Sequence, residues 1–366
     1  MRACDRCLRR SHLIGLLAPR IAGLLDRPGR RRAPGLLALS DRDLTSAVAG
    51  QAAAEVRAAL RRFDPAAERE RIATLGLYAA CRHGRGYPES LSDLTDAPAV
   101  LFSTSPAPLG AGDGGPVVGI VGTRAASPYG LEVAHALGRG LGAAGVPVVS
   151  GLALGIDAAA HRGCLDAGGH TIAVLAGGVD VPYPRQHTRL HERIAARGAI
   201  VSEMPPGGRP FKWSFPARNR IMAGLADMVV LVEAADPSGS LITAEFARDL
   251  GRAVGAVPGR ITARMAAGTN GLLRDGAIPV TGVRDVLDEL FGAGVGAARA
   301  AAASEPADAT LRGVLQAVEA DAAPGEISAA TGLAAADVRA ALARLDAMGL
   351  VARSGLGSYR RIAQLR

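Results

Sequence analysis

The stretch Lys212-Trp213-Ser214-Phe215-Pro216-Ala217-Arg218-Asn219-Arg220 concentrates cationic, amide and aromatic side chains, including the single tryptophan and the single lysine of the chain. Arg209 stands just upstream, and no acid lies between Glu203 and Asp227. Aromatic faces stack on unpaired bases while cations follow the phosphate backbone, which is the pattern of a single-strand nucleic-acid groove. The plainer alternative is a helix N-terminus whose aromatics enter the core and whose arginines are solvated.

Three turns carry a second chemistry. In Gly119-Ile120-Val121-Gly122-Thr123-Arg124, Gly122 permits a tight turn, the N–H groups that follow can point at a phosphate, and a helix dipole behind them favours the same anion. Arg124 adds a bidentate fork. The full G-x-G-x-x-G fingerprint is missing, which counts against a nicotinamide dinucleotide. Ser150 and Gly151 repeat the logic one strand later, with Asp157 as a helix cap and His161 a turn beyond. A Ser150/Asp157/His161 triad can be drawn, but no G-x-S-x-G elbow supports it. Ser238-Gly239-Ser240 forms a third candidate phosphate turn. For all three, an ordinary strand-to-helix turn or capped helix is the alternative. Glu203, Glu233 and Glu245 are isolated, so no catalytic carboxylate pair stands out.

Cys4 and Cys7 make half a zinc site, and His12 offers a third ligand. No fourth is evident, so two free thiols and no metal are expected. Cys81 and Cys164 read as core thiols of a reducing compartment. No cofactor is implied.

The elements that must position these residues follow from periodicity. Apolar runs at 117–121, 146–150, 171–175, 199–202, 228–232 and 253–257 alternate with helical stretches at 128–142, 156–166, 186–196, 218–224 and 240–250. The expected fold class is α/β, an extended Rossmann-like, doubly wound and mostly parallel sheet with helices on both faces. Its ligands bind at the carboxyl ends of the strands. Residues 1–75 read as a helical N-terminal domain with a solvated Arg30–Arg32 loop, 76–115 as a connector and 116–290 as the Rossmann-like domain. Residues 291–307 read as an Ala/Gly-rich linker. Residues 308–366 fit a winged helix, whose mixed charge favours protein contact over duplex DNA.

The chain has 366 residues, 49% of them hydrophobic, which excludes wholesale disorder. No apolar run is long enough for a membrane span and no secretory leader is seen, so a cytoplasmic protein is expected. The formal charge of +8 suggests a polyanionic partner. However, residues 1–75 hold 15 arginines against 8 acids, while 116–290 hold 17 cations against 15 acids. The motif-bearing region is thus nearly neutral, with one local patch.

Taken in order, GTR (122–124), SGLALGIDAAAH (150–161), LAGGVDVPYP (175–184), SEMPPG (202–207), FPARNRIMAGLAD (215–227), VEAADPSGSLITAEFA (232–247), VPG (257–259) and GTNGLLRDGA (268–277) resemble the DNA-processing protein A family, also called DprA or Smf. The similarity covers roughly 117–282, with Tyr87-Pro88 upstream, and departs from the family at 103–108. The resemblance implies an extended Rossmann domain that binds single-stranded DNA with no established enzymatic reaction. It also implies protection of incoming strands in natural transformation, loading of the RecA recombinase, and a homodimer. It assigns DNA contact to Arg124, Lys212 and Phe215, and Arg185 fills a place where a basic residue is common. The alternative is a Rossmann-like hydrolase of nucleoside monophosphates that uses Glu203 or Glu245 against the ribose. A third possibility is a winged-helix regulator with the Rossmann domain as ligand sensor.

Overall fold

In the computed structural model, residues 3–25, 34–109, 115–294, 308–318, 322–347, 350–354 and 357–361 are described. The Arg30–Arg32 loop, the linker beyond residue 294 and the Gly355-Leu356 turn lie outside them. Helices α1 (Asp5–Leu25), α2 (Pro34–Leu37), α3 (Asp41–Ala49), α4 (Ala53–Arg62) and α5 (Pro65–Thr74) come first. Ser40 caps α3 through the Asp43 N–H, and Asp64 caps α5 ahead of Pro65. Leu13, Leu17 and Ile21 recur at helical spacing and are buried in one cluster with Leu44 and Val56.

Next comes the sheet. Strands β1 (Tyr78–Ala80), β2 (Leu101–Ser103), β3 (Val118–Val121), β4 (Val148–Ser150), β5 (Thr171–Val174), β6 (Ala199–Ser202), β7 (Met228–Leu231), β8 (Ala253–Ala256) and β9 (Ile278–Pro279) lie in the order β1-β2-β6-β5-β4-β3-β7-β8-β9. From β6 to β9 every pairing is parallel. β1 and β2 pair antiparallel with each other, and β2 pairs antiparallel with β6 through Phe102↔Ser202. The expected connector at 76–115 therefore supplies two strands. At three residues each, among prolines, they are too short to show periodicity.

Helices α6 (Pro128–Ala143), α7 (Ile156–Asp166), α8 (Thr188–Arg197), α9 (Ser214–Leu225), α10 (Leu241–Asp249) and α11 (Ala267–Arg274) complete the alternation. Successive strand residues face opposite sides. Ile172 and Val174 pack with Ile221, Met222 and Ala244, whereas Ala173 between them packs with Ala158, Leu165, Leu190 and Ile194. Chain order runs outward from β3 through β4, β5 and β6, then returns to β7 on its other side. The switch point, and so the ligand crevice, lies between β3 and β7.

Helix α9 starts at Ser214, one turn before the expected 218. Pro216 sits in the first turn, where its missing N–H costs nothing, and the Ser214 hydroxyl bonds both the N–H and the carbonyl of Phe211. Trp213 joins the apolar cluster of α1, α3 and α4, and its indole N–H donates to the Ala18 carbonyl at 3.0 Å. The first helices, expected as a separate domain, thus share a core with residues at the head of α9. Residues 1–142 and 146–280 form one compact unit.

Residues 143–145 and 281–366 form the other unit. It contains α12 (Val283–Phe291), α13 (Ala309–Ala317), α14 (Pro324–Thr331), α15 (Ala335–Ala347) and the antiparallel pair β10 (Val351–Arg353) and β11 (Tyr359–Arg361). Leu311, Val314, Leu315, Ile327, Val338, Leu342 and Leu345 build its own core. No described helix is long and apolar enough to cross a membrane.

Two buried polar groups decide stability. Arg220, 1% exposed, donates to both Glu203 oxygens at 2.8 and 2.7 Å and to the Asp96 carbonyl at 2.9 Å. Its Nε lies 2.9 Å from Asp96 Oδ1 as an ion pair, without the alignment of a hydrogen bond. Glu203→Ala strips one partner from a buried charge and should destabilise the first unit by about 3–5 kcal/mol, read from the urea midpoint at constant slope. A loss within noise would remove Arg220 from the list of structural anchors. The second group is His161, whose Nδ1–H donates to Thr171 Oγ1 at 2.7 Å, since that hydroxyl itself donates to the Val148 carbonyl. Burial pulls the His161 imidazole from 6.5 down to about 3, with His187, Arg218 and Arg162 adding repulsion. The unfolded chain binds this proton as pH falls through 6.5 and the folded chain only near 3. Stability is therefore lost across that window, at up to about 1.4 kcal/mol per pH unit. His161→Asn keeps a donor to Thr171 and should flatten the decline in thermal midpoint with acid; an unchanged slope would assign the decline elsewhere.

Candidate nucleic-acid interface

A cavity of about 690 Å³ opens at the β3/β7 switch point. Its walls come from the segments that follow β3, β4, β5, β6, β7 and β8, from α9 as far as Met222, and from the first turn of α10. Arg124, Lys212, Arg218 and Arg264 line it against a single carboxylate, Asp157. The Arg124 guanidinium sits 5.1 Å from the centroid of the Phe215 ring, and Tyr183 meets the same ring from 5.4 Å at a 51° tilt. This cation–π stack leaves Arg124, Lys212 and Tyr183 exposed at the rim, with Phe215 half-buried beneath them.

The structure brings together Gly122, Thr123, Arg124, Lys212, Phe215, Arg218, Asn219, Ser238, Gly239 and Ser240, all on the cavity wall. Gly122 is required here, because a Cβ would come within 2.6 Å of Ile156 Cγ1 and 2.8 Å of the Glu233 carbonyl. Asn219 braces the third turn by donating to the Gly239 carbonyl at 3.2 Å, while the Ser238 and Ser240 hydroxyls bond each other at 2.8 Å.

Other expected residues stand apart. Arg220 is spent on Glu203 and Asp96, behind α9. Ser150 is fully buried and its hydroxyl donates to the Ile120 carbonyl at 2.6 Å. The Gly151 N–H donates to Asp157 Oδ2 at 3.1 Å, and a Cβ there would overlap the Arg218 guanidinium. Arg185 is exposed in the turn before α8 and does not line the cavity. The drawn triad does not assemble, because Ser150 and His161 bond other partners.

Two of the three anion-binding turns are filled from within. Ser127 caps α6 by accepting the Gly130 N–H. Glu233 then accepts the Ser127 N–H at 2.9 Å and its hydroxyl at 2.6 Å, and the Glu233 carbonyl takes the Thr123 N–H at 2.7 Å. A carboxylate thus occupies the position expected for a phosphate at the α6 dipole. Asp157 serves the second turn through the Gly151 and Ala153 N–H groups, and burial pushes its carboxyl up against the pull of Arg218. The third turn, at the head of α10, faces the cavity.

Arg218 is neither solvated nor ordinary. Burial lowers it to about 10, Asp157 opposing and Arg124 adding to the fall. One terminal nitrogen donates to the Val174 carbonyl at 2.5 Å, while Nε has no hydrogen-bond partner among the described residues. It is a buried cation at the floor of a polar cavity. Tyr183 and Arg264 escape the sequence reading. Both lie beyond strand carboxyl ends, the rule that singles out the other residues, but several residues past the strand, where no turn motif marks them.

A profile of the DNA recombination-mediator protein A family matches residues 79–291. The putative DNA processing protein DprA of Mycobacterium tuberculosis is 44% identical over 265 residues, which is 69% of this chain and 66% of that protein, just under two thirds of its length. The DNA processing protein DprA of Bacillus subtilis is 41% identical over 204 residues, covering 56% and 68%. Among solved structures, DNA processing protein A of Streptococcus pneumoniae superposes with a TM-score of 0.61 at 33% identity, over 79% of this chain and 99% of that one. The Helicobacter pylori protein, solved for its single-stranded DNA binding mode, gives 0.51 at 31% identity over 59% and 95%. The cavity, its motifs and the matched profile occupy the same residues, and the chain belongs to the DNA recombination-mediator protein A family.

Proposed function

We propose that this chain binds single-stranded DNA, without chemical turnover, across the cavity at the β3/β7 switch point. The observation that carries the reading is the Arg124–Phe215–Tyr183 stack, set beside exposed Lys212 and above buried Arg218. The Tyr183 and Phe215 rings offer a sequence-tolerant seat for unpaired bases, and the cations beside them match a phosphate backbone. Support also comes from the Helicobacter pylori relative, whose structure concerns single-stranded DNA binding. Phosphates would meet Arg124, Lys212 and the Ser238-Gly239-Ser240 turn. Arg185 would serve only a strand that leaves the cavity past Tyr183.

The hydrolase alternative finds no support in the geometry. Glu203 is locked on Arg220, Glu245 is exposed on α10 and off the cavity wall, and Asp157 already serves two N–H groups. The finer reading rests on the motif resemblance: protection of incoming strands in DNA uptake, transfer to a RecA-type recombinase and a homodimer; a cytoplasmic setting is the reading of the cysteine usage. Helices α13 to α15 with the β10–β11 pair read as a winged helix whose mixed charge favours protein contact over duplex DNA.

Arg124→Glu combined with Lys212→Glu should abolish the gel shift of an oligothymidine strand while the thermal midpoint stays near wild type. Retained binding by the folded double variant would refute the groove. Phe215→Ala should weaken binding by about 1–3 kcal/mol, one stacked base. Affinity for single strands should exceed that for duplex or mononucleotides at matched salt and fall linearly on a log–log salt plot; a salt-insensitive complex would exclude the phosphate contacts.

A further inference from the structure

The first unit holds a second cluster of chemically able side chains, on the far edge of the sheet and separate from the cavity. Cys4 precedes α1 and Cys7 lies in its first turn, while Cys81 and His83 follow the edge strand β1. One ligand atom from each of the four lies within 4.8 Å of all the others. Cys7 Sγ is 3.2 Å and Cys4 Sγ 3.6 Å from His83 Nδ1. A tetrahedral zinc ion with metal–sulfur bonds of about 2.3 Å and metal–nitrogen bonds of about 2.0–2.1 Å sets its ligands about 3.5–3.8 Å apart. The two sulfur–nitrogen distances found here, 3.2 and 3.6 Å, lie close to that spacing.

We propose that Cys4, Cys7, Cys81 and His83 form a structural metal site of the three-thiolate, one-imidazole kind, taking Zn²⁺. Four protein ligands close the shell, so the site leaves no position for substrate and is structural. Soft thiolates with one imidazole select zinc over oxygen-seeking magnesium or calcium. The surroundings fit. The Cys4 N–H points at Cys81 Sγ at 3.4 Å, and the Gly84 N–H closes a turn on the Cys81 carbonyl at 2.8 Å, which directs His83 back toward the thiols. Arg6, Arg10 and Arg82 line the adjoining cavity together with Cys7 and His83. Arg10 is paired with Asp41 in the same cavity, and Arg6 and Arg82 favour the net negative charge of three thiolates around one divalent ion. All four cysteines of the described chain are free of disulfides.

His12, the third ligand suggested by sequence spacing, is excluded. It stacks on Phe63 with ring centroids 4.3 Å apart. Cys81, read from sequence as a core thiol, takes a ligand's place instead, and His83 supplies the fourth. Each C-x-x-C or C-x-H pair is half a site, and packing β1 against the start of α1 joins the halves. The ion would clamp the first helix to a terminal strand of the sheet. Cys4 and Cys7 are also in the core cluster that holds Cys81, Ala79 and Phe102.

The test uses the full chain, expressed with added zinc, desalted and analysed by plasma mass spectrometry, then stripped and titrated with Co²⁺. About one zinc per chain is expected, with the strong thiolate charge-transfer and tetrahedral d–d bands of a cobalt–thiolate site. Cys81→Ser should weaken metal affinity at least tenfold, and His83→Cys should retain the ion with a shifted charge-transfer band. His12→Ala should leave stoichiometry and spectrum unchanged. Zinc below about a tenth per chain with no cobalt–thiolate bands, an octahedral cobalt spectrum, or a Cys4–Cys7 disulfide in the freshly purified protein would overturn the site. So would a wild-type spectrum in Cys81→Ser.

Discussion

Everything in the first unit turns on how α9 is held. Arg220 is a guanidinium with almost no solvent; its two terminal nitrogens make four hydrogen bonds, to Glu203 and to the carbonyls of Ala217 and Asp96, while Nε–H faces the Asp96 carboxylate as an ion pair. Burying such a charge is tolerable only with near-complete pairing. That pairing locks α9 in rotation about its axis. Once the rotation is set, Phe215 and Arg218 must face the cavity, Trp213 must face the N-terminal helices, and Ile221 with Met222 must face the sheet. One ion cluster thereby fixes three faces of a single helix.

Much of the fold is legible in the sequence because parallel strands buried on both faces read as unbroken apolar runs. Residues 171–174 and 228–231 are of this kind. The antiparallel edge at 78–80 and 101–103 is not legible, since three residues show no period. In the site, Arg124, Lys212 and Phe215 are legible from type and motif. Arg220 is misplaced because sequence shows charge density but not helix rotation, and two residues along a helix is a turn of roughly 200°. Ser150 and Gly151 are misplaced for a different reason. A glycine turn ahead of a helix offers N–H groups to any anion, and only the fold reveals that Asp157 arrives first. Cys81 and His83 lie 77 and 79 residues from Cys4, a distance at which no spacing rule operates.

The internal carboxylates give the cavity its character. With Glu233 at the head of α6 and Asp157 at the second turn, two of three dipole sites are neutralised by the protein itself. Positive charge is then delivered by exposed side chains at the rim and by one buried arginine at the floor. Such a surface suits a long, repetitive polyanion better than one tightly caged phosphate. It also explains why a domain with nearly balanced charge can still present a cationic groove: Glu233 and Asp157 are turned inward onto backbone N–H groups, while Arg124 and Lys212 stay exposed at the rim.

The cavity wall is assembled from segments as far apart in the chain as Gly122 and Arg264, each hanging from a different strand. No single loop can swing away and take the site with it. Ligand binding is consequently linked to cooperative unfolding of the whole sheet, and not to a local opening. A bound strand would therefore leave by dissociating from an intact surface, one contact after another.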